Sequence, residues 1–166
     1  MTHMVRSELT IEQVLTILAG TPLRLAELTA GLTPVELETR PAPDEWAATD
    51  VLAHLRSCAD MWGGSITTML REDHPTIRAV NPTTWIHDTD YPDRAFRPSL
   101  REYTRQRDEL LAVLEPLAPD GWARGATFTG AGTPLERTVL TQARRMARHE
   151  RPHLKQIARL AASMGT

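Results

Sequence analysis

Four stretches of this chain repeat apolar residues every three or four positions, and almost nothing alternates with period two. A chain patterned this way buries stripes, not sheet faces, so it reads as all-α. In "IEQVLTILAGTPLRLAELTAGL", Val14, Leu15, Leu18, Leu25 and Leu28 share one face, and Thr10 with Gln13 forms a capping-box pattern at its start. Pro22 should kink or break this helix near its middle, and Gly31 should stop it. Thr33 and Pro34 then predict a short helical turn. A second helix is expected from about Ala48 to about Arg71, with Val51, Leu52, Leu55, Ala59, Trp62, Ile66 and Met69 as its stripe.

"EDHPTIRAVNPTTWIHDTDYPDRAFRP" follows, with four prolines and few periodic positions. It reads as a long crossover loop, a kind that is usually functional or topological. Ser99 with Glu102 is expected to open a third helix, which Pro119, Asp120 and Gly121 should end. "GWARGATFTGAGT" is rich in glycine and suits a short hairpin or an irregular loop. Thr133, Pro134 and Glu136 predict the start of the last helix. The expected fold is an all-α four-helix bundle with a long crossover loop, a single domain over residues 1–166.

The net charge of −2 gives no global attraction to nucleic acid or to an anionic membrane. No apolar run approaches the length of a membrane span. The single cysteine, Cys58, excludes an internal disulfide. With no apolar targeting segment at the start of the chain, the expectation is a cytoplasmic protein.

"HERPH", residues 149–153, spells the H-E-x-x-H pattern of zinc proteases. Three features argue against that reading. Pro152 sits inside the motif, Arg159 stands where a metzincin needs a third histidine, and no acidic residue follows Glu150. On a helical wheel, Leu135, Val139, Ala143, Met146, Ile157 and Leu160 share the inner face, with His149 and His153 at its edge. Residues four apart lie one above the other, within reach of a single ion. A third ligand must come from upstream, and His54, at the border of the second helix's stripe, is the candidate. Three neutral imidazoles leave positions open for water or substrate. Zinc is the usual occupant of such sites, with nickel, iron and copper compatible by ligand type.

Three segments in this order, "RPAPDEWAATDVLAHL", "MLREDHPTIRAVNPTTW" and "GWARGATFTGAGTPLERTVLTQARRMARHERPHLKQI", resemble the DinB/YfiT-like superfamily from about Thr21 to about Leu160. In that family one histidine of helix two and two of helix four bind a divalent metal. The resemblance places these at His54, His149 and His153. It also implies a metal-dependent thiol S-transferase or isomerase that acts on a small-molecule substrate. A low-molecular-weight thiol such as mycothiol or bacillithiol would be the cofactor, and the protein would be a homodimer. Two alternatives are a metal-binding or stress-response dimer without turnover and a hydrolase on the same three histidines. The chain departs from the family at Ala47, where a capping serine is common, and at Ser57 and Cys58, where acidic residues are common.

Glu150 is a candidate general base, a support for a ligand, or the partner of an arginine between helices. Cys58, four residues after His54, reads as a small core residue or as a further ligand. Trp46 should pack the proline-rich approach onto the bundle, Trp85 and Tyr91 should line a substrate mouth or cover the core, and His74 and His87 should be exposed. Arg144, Arg148 and Arg151 read as a solvated stripe.

Overall fold

The computed structural model describes residues 7–130 and 132–164. Four long helical rods form the bundle: α1 (Ile11–Thr29), α3 with its continuation α4 (Ala48–Cys58 and Gly64–Arg71), α6 (Phe96–Leu114) and α8 (Val139–Met164). A short α2 (Pro34–Glu38) follows α1. In the ring of rods, α1 and α3 each pack against both α6 and α8. No helix among the described residues is long and apolar enough to cross a membrane.

Local chemistry sets most helix starts. The capping boxes at Thr10–Gln13 and Thr33–Glu36 both form. At α3, Asp50 does part of the missing serine's work, because its carboxylate accepts the Ala47 N–H at 2.9 Å. Between α3 and α4 the helix passes through a π turn, Ala59–Gly63, instead of running regularly. The extra residue in that turn rotates everything after it relative to His54.

Pro22 does not break α1, which runs unbroken through it. Proline has no N–H, so the Leu18 carbonyl one turn earlier loses its helical donor. Arg107 replaces that donor, with Nη1 donating to Leu18 O at 2.9 Å. The same guanidinium pairs with both Glu150 oxygens, Oε2 at 3.1 Å, and donates from Nη2 to the Tyr103 hydroxyl at 3.0 Å. Tyr103 in turn donates to Glu150 Oε1 at 3.3 Å, and the Thr21 hydroxyl lies 3.4 Å from Oε2. This buried polar knot falls between two apolar clusters. One contains Val14, Leu18, Ile66 and Met146, and the other contains Leu25, Leu52, Phe96 and Ile157. Each such fully buried side chain contributes about 1.5–3 kcal/mol.

The crossover is more structured than a loop. It contains β1 (Thr76–Arg78), α5 (Pro82–Trp85) and two 3₁₀ turns, Ile86–Asp88 and Tyr91–Asp93. Asp60, in the π turn, anchors it by accepting from Trp85 Nε1 at 3.1 Å and the Tyr91 hydroxyl at 2.6 Å. Ser57 adds a bond to the Pro82 carbonyl at 2.6 Å. The third rod starts at Phe96, one turn fraction before the expected Ser99. Glu102 is drawn instead to Arg56 and Arg94, so the Ser99–Glu102 box does not form. That rod ends at Leu114, and Pro119–Trp122 forms a separate short α7.

The glycine-rich segment is a hairpin, β2 (Gly125–Thr129) and β3 (Leu135–Thr138), with β1 added in parallel to β2. Gly130 turns the chain at φ +94°, a conformation that glycine adopts at no steric cost. Here the sequence expectation fails. Leu135 lies on β3 and is 49% exposed, and α8 begins at Val139 with no cap from Thr133. Thr138 is the operative cap, its hydroxyl accepting the Thr141 N–H at 3.1 Å. Alternating burial along "GATFT", with Ala126 and Phe128 inside, is the period-two signal that competes with the helix.

Candidate metal centre

α3 presents His54, and α8 presents His149 and His153 one turn apart. Their ligand atoms all lie within 4.8 Å of one another. Nε2 of His149 is central, 3.1 Å from Nε2 of His54 and 3.2 Å from Nε2 of His153. His153 Nδ1 lies 3.0 Å from Gln156 Oε1, so Nδ1–H donates and Nε2 is left as a bare lone pair. Such a partner on the far nitrogen is what holds a ligating imidazole in orientation. His149 Nδ1 is buried without a partner among the described residues. Burial, reinforced by the charge of His153, holds His54 down to about 4. Burial and the neighbouring His153, His54 and Arg145 hold His149 there too. Both rings are therefore neutral near pH 7, the form that binds metals.

The donor set fits a divalent cation. Ligands about 2.0–2.1 Å from a metal at angles between octahedral and tetrahedral stand about 2.8–3.4 Å apart. The two observed Nε2 separations fall in that window. One proton on His149 Nε2 cannot align with both neighbours at once, whereas one cation can serve all three.

Aromatic rings frame the cluster. Trp46, 40% exposed, has its ring centroid 5.2 Å from that of His54 and stacks over His153 at 6.3 Å. Trp62, set by the π turn, meets His149 edge-on at 4.9 Å. Cys58 Sγ lies 3.7 Å from His54 Nε2 and 4.0 Å from His149 Nε2. The thiol is buried, and burial pushes it up to about 12 against the opposing pull of Arg145. A thiol in that state is not a nucleophile.

The cluster opens into a cleft of about 590 Å³ that reaches His54 and His149. The crossover and the hairpin supply one wall, through Ile77, Arg78, Phe128 and Gly130, and α8 supplies another through Gln142 and Arg145. No carboxylate is among the described residues that line it, whereas a separate cleft of about 580 Å³ on the His153 side is lined by Asp44 and Glu45.

Of the residues singled out from the sequence, His54, His149 and His153 are brought together. Glu150 points elsewhere: its carboxylate is 4% exposed and meets Arg107, Tyr103 and Thr21. Burial raises its pKa, and Arg107 and the two hydroxyls oppose that. Trp85 and Tyr91 bind Asp60 and are not among the residues lining the cleft. His74 and His87 are exposed, as are Arg148 and Arg151, while Arg144 reaches the Leu9 carbonyl at 2.7 Å. Sequence reasoning missed Gln142 and Arg145. The signal was present, since they precede His149 by seven and four residues and so lie on its face of α8.

Comparison with solved structures finds the same architecture in YfiT from Bacillus subtilis, described as a probable metal-dependent hydrolase with an unusual four-helix bundle topology. The two share 22% identity over 98% of this chain and 94% of that one, with a TM-score of 0.77, a likeness of fold. None of the curated proteins compared with the chain matches it. The family model of the DinB superfamily matches residues 17–157. The chain belongs to the DinB superfamily.

Proposed function

We propose that His54, His149 and His153 hold a divalent metal and that the protein is a metal-dependent enzyme transferring a small thiol to an electrophilic substrate. The observation that carries this reading is the open cleft that meets two of the three imidazoles and has no carboxylate in its lining. The openness favours turnover over a closed, purely structural metal site. On the His54–His149 side no carboxylate among the described residues lines the cleft, which favours a nucleophile that ionises without a protein base there. A thiol ionises near pH 8.5 unassisted, far more readily than water. A divalent cation on the three imidazoles would supply Lewis-acid chemistry, favouring the deprotonated form of a thiol that reaches it.

The chain's own residues do the rest. Gln156 fixes the His153 tautomer so that Nε2 faces inward. Burial keeps His54 and His149 neutral and available. Trp46 and Trp62 pack against the rings and restrict how they turn. Cys58 is buried beside the cluster, and the reacting sulfur in this reading is that of a small thiol entering through the cleft. Glu150 serves the bundle through Arg107 and takes no proton from the cleft.

Hydrolysis on the same site is the second reading, favoured by the description of YfiT as a probable metal-dependent hydrolase. Assays of the metal-loaded protein separate the two. Thiol-dependent consumption of an electrophile, absent without thiol and lost in His149→Ala, is expected. Ester or amide cleavage that proceeds equally well without thiol would replace thiol transfer by hydrolysis.

A further inference from the structure

Arg145 leans over the indole of Trp62, its guanidinium carbon 4.4 Å from the ring centroid. No carboxylate pairs with it among the described residues: Glu8 goes to Arg144, and Glu136 goes to His74. Arg137 stands near enough to repel it, so the local charge is positive and uncompensated. Arg78, on the opposite wall of the same cleft, is likewise without a carboxylate among the described residues. An aromatic face restricts where a guanidinium sits without consuming its donors. Arg145 is thus a held cation with its hydrogen-bonding edge unused.

A second feature lies deeper. Gln142 is 1% exposed and lines the cleft. Its Nε2 donates to Ser65 Oγ at 2.9 Å, and Ser65 Oγ donates to the Trp62 carbonyl at 2.7 Å. That chain fixes the amide, and it leaves Gln142 Oε1 buried with no partner among the described residues. A native protein rarely leaves such an acceptor orphaned, because the loss is not repaid elsewhere. An N–H or O–H donor brought by a ligand repairs it.

Gln142, Arg145 and His149 follow one another on one face of α8. At 1.5 Å per residue, Arg145 and Gln142 stand about 6 and about 10 Å from His149 along the axis. We propose that the cleft selects a small anionic substrate, its anionic group on Arg145 and a neighbouring N–H or O–H donor on Gln142 Oε1, with the reacting end at the three imidazoles. The assignment of a reacting end rests on the metal-enzyme reading above. The anion and donor subsites rest on Arg145, Trp62 and Gln142 alone.

The test is a titration of metal-free protein followed by the NMR signal of the Trp62 indole N–H, assigned with Trp62→Phe. Four probes separate the terms. N-acetylalanine carries an anion and an N–H, its methyl ester lacks the charge, propionate lacks the donor, and inorganic phosphate is an anion without the carboxylate. N-acetylalanine is expected to bind about fivefold more tightly than the ester, the size of one partly exposed ion pair. Arg145→Met should erase that preference, and Gln142→Leu should erase the preference over propionate. Phosphate binding more tightly than N-acetylalanine, with the same loss in Arg145→Met, would identify the anion as phosphate and keep the site. Equal binding of acid and ester, an unchanged preference in Arg145→Met, or no shift with any probe overturns the proposal. Arg145 is exposed and Gln142→Leu removes an orphaned acceptor, so both variants should fold, and their amide spectra report whether they have. Because no metal is present, failure of metal binding leaves this result standing, and failure here leaves the metal site standing.

Discussion

Replacing Arg107 by methionine probes the knot that separates a structural Glu150 from a catalytic one. In the native fold Arg107 and Glu150 are almost wholly buried and face each other through two contacts. Methionine keeps much of the volume and removes the charge. Glu150 is then a buried carboxyl with only the Tyr103 and Thr21 hydroxyls for company, and the Leu18 carbonyl, already without a helical donor because of Pro22, loses its only partner. Breaking a buried pair by deleting one member costs about 3–5 kcal/mol. An orphaned carbonyl costs about 1–3 kcal/mol, partly the same energy counted from the other side. A total near 4–5 kcal/mol is a large share of the roughly 5–15 kcal/mol that holds a domain folded. In a chain of this size it lowers Tm by roughly 8–20 °C. Arg107→Met/Glu150→Leu, which removes both charges, should recover the part of the loss due to the unpaired Glu150, while the Leu18 carbonyl stays orphaned. Urea unfolding of wild type, both single variants and the double variant supplies the cycle, and a constant m-value confirms that stability alone has changed. The reasoning is refuted if Arg107→Met unfolds within about 1 kcal/mol of wild type. It is refuted for Glu150 in particular if Glu150→Gln keeps full stability and loses activity.

Three further outcomes follow from local features. Unfolded histidines take up protons below about pH 6.5, whereas His54 and His149 in the fold resist until about pH 4. The unfolded state therefore binds more protons in that window, so metal-free protein should lose stability as pH falls through it. His54→Gln should flatten the profile of Cm against pH, and an unchanged slope counts against neutral rings. Cys58, 3% exposed and with its thiol pushed up to about 12, should resist alkylation at pH 8 in native metal-free protein and react only on unfolding. Rapid native modification would contradict its placement. Gly130→Ala should cost about 1 kcal/mol or more, from φ +94° and a new Cβ 3.2 Å from Arg78 Cγ, read as a lower Cm.

The rods, the caps at Thr10 and Thr33 and the inward placement of His149 and His153 were legible because each rests on residues a few positions apart. Periodicity also placed His54 on an inner edge. It could not say that His54 meets α8, a contact between residues 95 apart in sequence. The need for an upstream third ligand made His54 the candidate, the resemblance to a family pointed to the same residue, and the structure brings the three rings together. Two misreadings have a common cause. Thr133–Glu136 resembles a capping box, and so does Ser99–Glu102, yet pairing with β2 claims the first and arginines claim Glu102. Both are tertiary partners outbidding a local preference. Pro22 is the converse case, since a helix breaker is tolerated because Arg107, 85 positions later, takes over the orphaned carbonyl. The π turn left no mark in the apolar pattern, yet it sets Trp62 beside His149 and gives Asp60 its anchoring role.

The central claim is that three imidazoles from two helices form one metal site, and metal stoichiometry tests it most directly. Untagged protein, stripped and then titrated with Zn²⁺ against a chromophoric chelator, should bind one ion per chain. His54→Ala, His149→Ala and His153→Ala should each weaken binding by more than the roughly 10–100-fold typical of losing an outer partner. Arg107→Met/Glu150→Leu, if folded, should bind as wild type does. No stoichiometric metal, or equal affinity in wild type and all three histidine variants, would contradict the account.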